Sequence, residues 1–251
     1  MAKAGETISN DAVTPAPTPS TPSSTPPTTT GRRIRGLDAD ERRAQRRQAL
    51  LDAALDLIAT RGYASTSIEQ ICQTAYVATR SFYEQFDGKE ACYLALLQQM
   101  AQDIADRMVA ALDDAPDDER AAGRALLRAF AHALVDDPRI ARASFGEGAG
   151  ISTAVEHQRR VNRRWAAGFL VDVWQRYGVT SGRGAKGASV RRVAVGVIGG
   201  MFDLVVDWLH DTEVAAAAGS VAGSAPDVDA LIRDLTDFYE LVRDGMASRS
   251  A

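Results

Sequence analysis

The chain is expected to be all-α, with an N-terminal unit of three helices followed by a larger helical domain. Three observations carry this. Apolar residues recur at i, i+3, i+4 and i+7 from about Asp40 onward. No segment alternates apolar and polar residues as a half-buried strand does, and no repeat occurs at a solenoid period. Asp, Gly and Pro clusters interrupt the pattern where helices of ordinary length would end.

Each element follows from local residues. Residues 1–36 read as a tail. Val13 to Thr30 is almost wholly Pro, Thr, Ser and Ala, with too little apolar surface to offset the entropy of ordering it. Leu50, Ala54, Leu57 and Ile58 share one face of the first helix, and Gly62 supplies a left-handed C-cap. Thr66-x-x-Glu69 reads as a capping box opening a second, short helix with Ile68, Ile71, Cys72 and Ala75 on one face. Phe82 and Phe86 mark a third. A long helix runs from about Lys89 to Leu112 and stops at Asp113-Asp114-Ala115-Pro116.

The second half continues in the same style. Helices are expected over Glu119–Val135, just after Pro138, over Thr153–Tyr177 with Thr153-x-x-Glu156 as its box, and over Ser189–His210. The Thr180–Ala188 loop is Gly-rich and basic, and Val214–Ala225 is an Ala/Gly/Ser stretch. Pro226 then suits the start of a last helix carrying Val228, Leu231, Ile232, Leu235, Phe238 and Val242.

Composition narrows the function class. The 251 residues are 45% hydrophobic and 25% charged, which suits a soluble globular chain. The formal charge is −4, but it is segregated: residues 31–50 hold seven arginines against three acidic residues, a local net of +4. Cys72 and Cys92 form no C-x-x-C pair and lie near no histidine cluster, so neither a disulfide framework nor a metal site is expected. The most apolar run, Val193 to Val206, contains Asp203 and falls short of a bilayer span. The N-terminus lacks a signal-peptide core. A cytoplasmic protein with no membrane partner is expected. No H-E-x-x-H, G-x-S-x-G or G-x-x-x-x-G-K-[ST] occurs. The glycine rhythm of residues 146–150 lacks the third glycine of a dinucleotide loop. No catalytic residue and no cofactor are expected.

The strongest signal lies in residues 66–89. Two short helices joined by a tight turn and packed on a longer one make a helix-turn-helix. Ala75 is small where the helices cross, Val77 plugs the core from the turn, and Phe82 and Phe86 anchor the second helix. Its other face then presents Thr79, Arg80, Ser81, Tyr83 and Glu84.

From about Arg43 to Met100 this pattern resembles the DNA-binding domain of the tetracycline-repressor (TetR) family. The stretches Ala53–Tyr63 and Arg80–Ala91 carry the resemblance. It implies a helix-turn-helix domain over 37–92 and a ligand-binding and dimerisation domain over 93–247. By position it implies that Thr66 and Ser67 bind phosphate at a helix start and that Thr79, Arg80 and Ser81 read the groove. Arg80 is suited to a bidentate contact with guanine, and Tyr83 and Lys89 match phosphate contacts. Three positions depart from the pattern: Tyr76 stands where the turn usually has Gly, Ala78 where a Ser or Thr cap is usual, and Arg80 where a small residue is common. Thr79 is an alternative cap.

The resemblance further implies a homodimeric regulator, a repressor released from a palindromic operator by a small-molecule effector. A ligand-independent or architectural DNA-binding dimer is the alternative. Gly196 and Gly200, four apart, suit close helix approach across a two-fold axis or inside one protomer. Trp165, Phe169, Trp174, Phe202 and Trp208 are the aromatic candidates for a pocket, and Arg142, Glu147, His157 and Asp203 the polar ones. No spacing selects among them.

Overall fold

A computed structural model of the chain describes residues 30–145, 151–179, 187–217 and 227–248. The assigned tail before Thr30, the 180–186 loop, Glu147, Pro226 and most of the Ala/Gly/Ser stretch lie outside them. The described residues are helical: α1 Thr30–Arg61, α2 Ile68–Thr74, α3 Thr79–Tyr83, α4 Lys89–Asp113, α5 Glu119–Val135, α6 Pro138–Phe145, α7 Thr153–Arg176, α8 Gly187–Ala217 and α9 Val228–Ser248. The described residues up to Glu41 fall in one unit and those from Arg42 onward in a second.

α1 begins at Thr30, ahead of the helical pattern expected from about Asp40. Arg, Ala and Leu dominate the helix that follows, and all three are strong helix formers. Gly62, at φ 79°, ends α1 in the left-handed conformation its position calls for.

Neither helix is capped at the residue the pattern suggests: the cap lies one residue later at α2 and one residue earlier at α7. Ser67, not Thr66, caps α2: its hydroxyl accepts from the Gln70 amide while the Gln70 side chain accepts from the Ser67 amide. Ser152, not Thr153, caps α7 by accepting from the Val155 amide at 3.2 Å. The N-cap must be extended, and Ser67 (φ −104°, ψ 160°) and Ser152 (φ −165°, ψ 165°) are.

Two apolar cores meet along α4. One gathers Leu50, Ala54, Ile71, Phe82, Cys92 and Leu96, joined by Ala143 and Val155 from the second half. The other is built by α5 to α9 around Leu134, Trp174, Val205, Leu231 and Leu235. α4 packs on both α5 and α7, so the helix that carries the N-terminal domain's core also walls the second domain.

α8 corrects a further expectation. Its Val190–Val214 stretch is long and apolar enough to cross a membrane by composition, although the sequence run looked too short. The aspartates are spaced widely enough to be diluted. One side of the helix packs on α6, α7 and α9. The other leaves Val195, Val206 and Val214 about half exposed. The glycine pair splits between these sides. A Cβ on Gly200 would meet Phe238 of α9 at 2.6 Å, whereas one on Gly196 would meet nothing within 4 Å.

Candidate nucleic-acid interface and effector cavity

The α2–α3 corner is anchored from beneath. Phe82 is fully buried and lies 5.4 Å, ring to ring, from Phe86, and the Arg47 guanidinium sits 4.6 Å above the Phe86 ring. Cys72 is buried below the same turn, and burial pushes its thiol pKa up. Cys92 is pushed up further, to about 12, for the same reason, so both remain neutral thiols.

With Phe82 turned inward, the opposite face of α3 is presented outward. Thr79, Arg80 and Tyr83 are exposed and Ser81 is half-buried. Ala78 caps α3 with its backbone alone, so the alternative in which Thr79 caps is not adopted. The Arg80 side chain is 91% exposed and makes only a loose 3.5 Å pair with Glu84, one turn on. Such a pair is easily exchanged for a stronger partner.

Tyr76 occupies the turn at φ 54° and is 97% exposed. The backbone at this position is thus left-handed although a bulky residue stands there and not the usual glycine. Such a residue there is strained.

Two expected phosphate contacts are engaged elsewhere. Thr66 is buried, and its hydroxyl donates to the Gly62 carbonyl at 2.9 Å. The Lys89 ammonium donates to the carbonyls of Tyr63 (2.9 Å) and Thr66 (2.8 Å) and lies 4.3 Å above the Tyr63 ring. Lys89 therefore ties the start of α4 to the loop after α1, and two of its three protons are taken. Ser67 remains half-exposed at the start of α2, although its hydroxyl already caps that helix.

Behind α4 lies a cavity of about 520 Å³, within the range of about 300–1,000 Å³ typical of small-molecule sites. α4, α5, α7 and α8 supply most of its wall, including Leu97, Met108, Leu126, Phe130, Trp165 and Phe202. Of the sequence candidates, Trp165, Phe169, Phe202 and Asp203 line it. Trp165 stacks on Phe169 at 5.5 Å, and Phe202 meets both Phe130 and Phe145.

The other candidates have different roles. Trp174 is fully buried and donates to the Tyr239 hydroxyl. Trp208 donates to the Asp227 carbonyl, and Arg142 pairs with Glu213 at the surface. His157 is exposed and does not line the cavity.

Sequence reading missed the cavity's polar end, made by Ser144, Gln158, Arg159 and Asn162. A signal existed. Arg159, Asn162, Ala166, Phe169 and Val173 follow one another at three- and four-residue steps, so they form one stripe of α7. No metal-ligating cluster of His, Cys, Asp and Glu occurs among the described residues.

Comparisons with known proteins agree with this geometry. Residues 50–96 match the model of bacterial regulatory proteins, tetR family. The transcriptional activator FasR of Mycolicibacterium smegmatis is 26% identical over 77% of this chain and 84% of its own length. The transcriptional regulator RutR of Escherichia coli is 38% identical, over 29% of this chain and 31% of its own. The fatty acid degradation regulator FadR of Bacillus halodurans superposes with a TM-score of 0.64 at 19% identity, covering 80% of this chain and 95% of that one. FadR of Bacillus subtilis, solved with stearoyl-CoA, gives 0.59 at 19% identity, over 79% and 98%. These last two likenesses are of fold. The curated relatives are transcriptional regulators, not enzymes. A helix-turn-helix with an exposed polar recognition face, the family match over its core and a hollow helical domain behind it agree: residues 50–96 are those of the tetR family of bacterial regulatory proteins, and the chain as a whole shares the fold of solved regulators of that kind.

Proposed function

We propose that the chain is a cytoplasmic, homodimeric one-component repressor, released from a palindromic operator when an elongated apolar molecule fills the cavity behind α4. The carrying observation is that α4 begins beside the recognition helix and also walls a 520 Å³ cavity. A ligand that reshapes the cavity bears directly on the element that holds α3. An architectural DNA-binding dimer has no use for such a void, which forfeits contacts that a filled core would make. One fold neighbour was solved with stearoyl-CoA, whose long acyl chain is of the kind that such an apolar wall suits.

The dimer is supported by what α8 and α9 leave uncovered. Val195, Val206, Val214 and Leu241 are exposed, and Gly196 leaves room for a close helix approach. To read a palindrome, such a dimer must present its two recognition helices about 34–36 Å apart, one turn of DNA.

Selection of bound sequences from random DNA tests the reading, followed by a reporter placed behind the recovered site. A palindromic site, lower reporter output with the protein present and recovery of output on adding the effector are expected. Recovery of no symmetric site, or a rise of output on binding, would overturn the repressor reading.

A further inference from the structure

We infer that the polar end of the cavity is a carboxylate-reading subsite, in which Arg159 and Ser144 hold the head group of an amphipathic effector whose chain lies along the apolar wall. This rests on the reading of the cavity as the effector site.

The argument starts from an unmet hydrogen-bonding demand. The Arg159 Nε is buried and has no hydrogen-bond partner. Its Nη2 donates to the Tyr93 hydroxyl at a long 3.3 Å, and its Nη1 stands 3.8 Å from Glu156, too far for a hydrogen bond. Leaving a guanidinium N–H unpaired against an apolar wall is costly, so the position is unfavourable unless something accepts from it. Neighbouring polar groups are already occupied. Gln158 accepts from Gln98 at 3.0 Å and donates to Asn162 at 2.8 Å. Ser144 has only a weak contact, its hydroxyl 4.0 Å from the Met100 sulfur.

The missing partner's chemistry follows from the geometry of the donors. Nε–H and Nη2–H point from the same edge of the guanidinium, and that edge matches the two oxygens of a carboxylate. A hydroxyl or ester head engages this fork singly. The Ser144 hydroxyl, on α6, adds a donor from the adjacent wall. Away from this end, Leu126, Phe130, Trp165 and Phe202 offer only apolar surface. The occupant is therefore a long hydrocarbon chain ending in a carboxylate.

The head group's position links it to the DNA-binding domain. The Tyr93 hydroxyl, which accepts from Arg159, also donates to the Ala143 carbonyl of α6 at 2.8 Å, and the Tyr93 ring lies 5.1 Å from Tyr63. Tyr63 in turn underlies Lys89. A carboxylate drawing on Nη2 competes with the bond to Tyr93, at the joint between α4 and α6.

The test titrates the full chain with stearate, stearyl alcohol and stearoyl-CoA, read by quenching of tryptophan fluorescence, since Trp165 lines the cavity. Wild-type protein should bind stearate at least about tenfold more tightly than the alcohol, the scale of a charge-assisted hydrogen bond. Arg159→Met should remove that preference and leave alcohol affinity unchanged, and Arg159→Lys should restore part of it. Thermal melting of each variant separates misfolding from lost recognition. Equal affinity for acid and alcohol in the wild type, or an equal loss of both in Arg159→Met, would overturn the subsite. So would binding of stearoyl-CoA without stearate. If no acyl compound binds but another apolar molecule releases the operator, the subsite falls and the cavity's role as effector site stands. Release of the operator by nothing apolar would overturn both.

Discussion

Phe82 and Phe202 are the same residue put to opposite uses. Phe82 has no exposed surface and closes the core beneath the recognition helix against Phe86. Phe202 stacks on Phe130 and meets Phe145 edge-on but leaves part of its ring facing a 520 Å³ void. The difference teaches where each domain keeps its rigidity. A surface that must present side chains to a fixed groove is built on a filled core, whose side chains hold single rotamers. A domain that must admit a guest leaves its core incomplete and accepts the lost contacts.

That contrast is most directly broken by truncating each ring. Phe82→Ala should cost about 3–5 kcal/mol, as emptying a filled aromatic site does, and should abolish DNA binding with it. Phe202→Ala enlarges a cavity that already exists, so it should cost well under half as much and leave DNA binding intact. Urea unfolding of both variants, with a gel shift on the selected operator, decides. Equal costs would mean that the second core is as tightly specified as the first.

Lys89 sharpens the comparison at the joint between the domains. If its work is to tie α4 to the Tyr63 and Thr66 carbonyls, Lys89→Ala should lower stability by about 2 kcal/mol, the scale of hydrogen bonds to a charged group. The slope of log affinity against log salt should barely change. A phosphate contact would do the reverse, flattening that slope by about one unit per half-site with stability unmoved.

Much of this was legible in the sequence because the forces involved are local. Helical periodicity, the Gly62 stop and the inward Phe82–Phe86 pair are written within a few residues of one another. What escaped was whatever depends on a residue far along the chain. The hydroxyl pairs Thr66-Ser67 and Ser152-Thr153 each offer two caps, and the choice turns on backbone angles set by packing. Lys89 looked like a surface cation because its carbonyl partners lie 23 and 26 residues away. Arg159 looked like one of several arginines on α7. Only Tyr93, 66 positions earlier, and the unpartnered Nε set it apart.

The turn residue offers a smaller effect, of opposite sign. Tyr76 holds φ 54° with its ring in solvent, so no packing repays the strain. Tyr76→Gly should raise stability by about 1 kcal/mol, the usual cost of a left-handed residue with a Cβ, less the extra freedom glycine has when unfolded. Thermal melting without DNA measures it. A fall in stability would show that the tyrosine packs in solution against a surface it does not touch here.

Arg80 should affect stability least and specificity most. Its side chain is almost wholly exposed, and its pair with Glu84 is long and screened, so Arg80→Ala should leave the melting midpoint close to that of the wild type. Its value to the protein would lie entirely in the complex. In a groove that excludes water, a fork of N–H donors set against guanine is worth about 1–3 kcal/mol of discrimination, and alanine should lose that at one position per half-site. Glu84 is part of the same test. In free protein it holds Arg80 loosely, and in the complex it must release it or orient it. Glu84→Gln should therefore keep the base preference while raising affinity for all sequences, since one negative charge leaves a surface that faces phosphates. Binding of both variants to an operator panel at several salt concentrations reads these effects apart. If Arg80→Ala weakens every sequence equally, Arg80 is a phosphate contact and α3 lies rotated in the groove. Thr79, the exposed residue before it, would then become the likelier base reader.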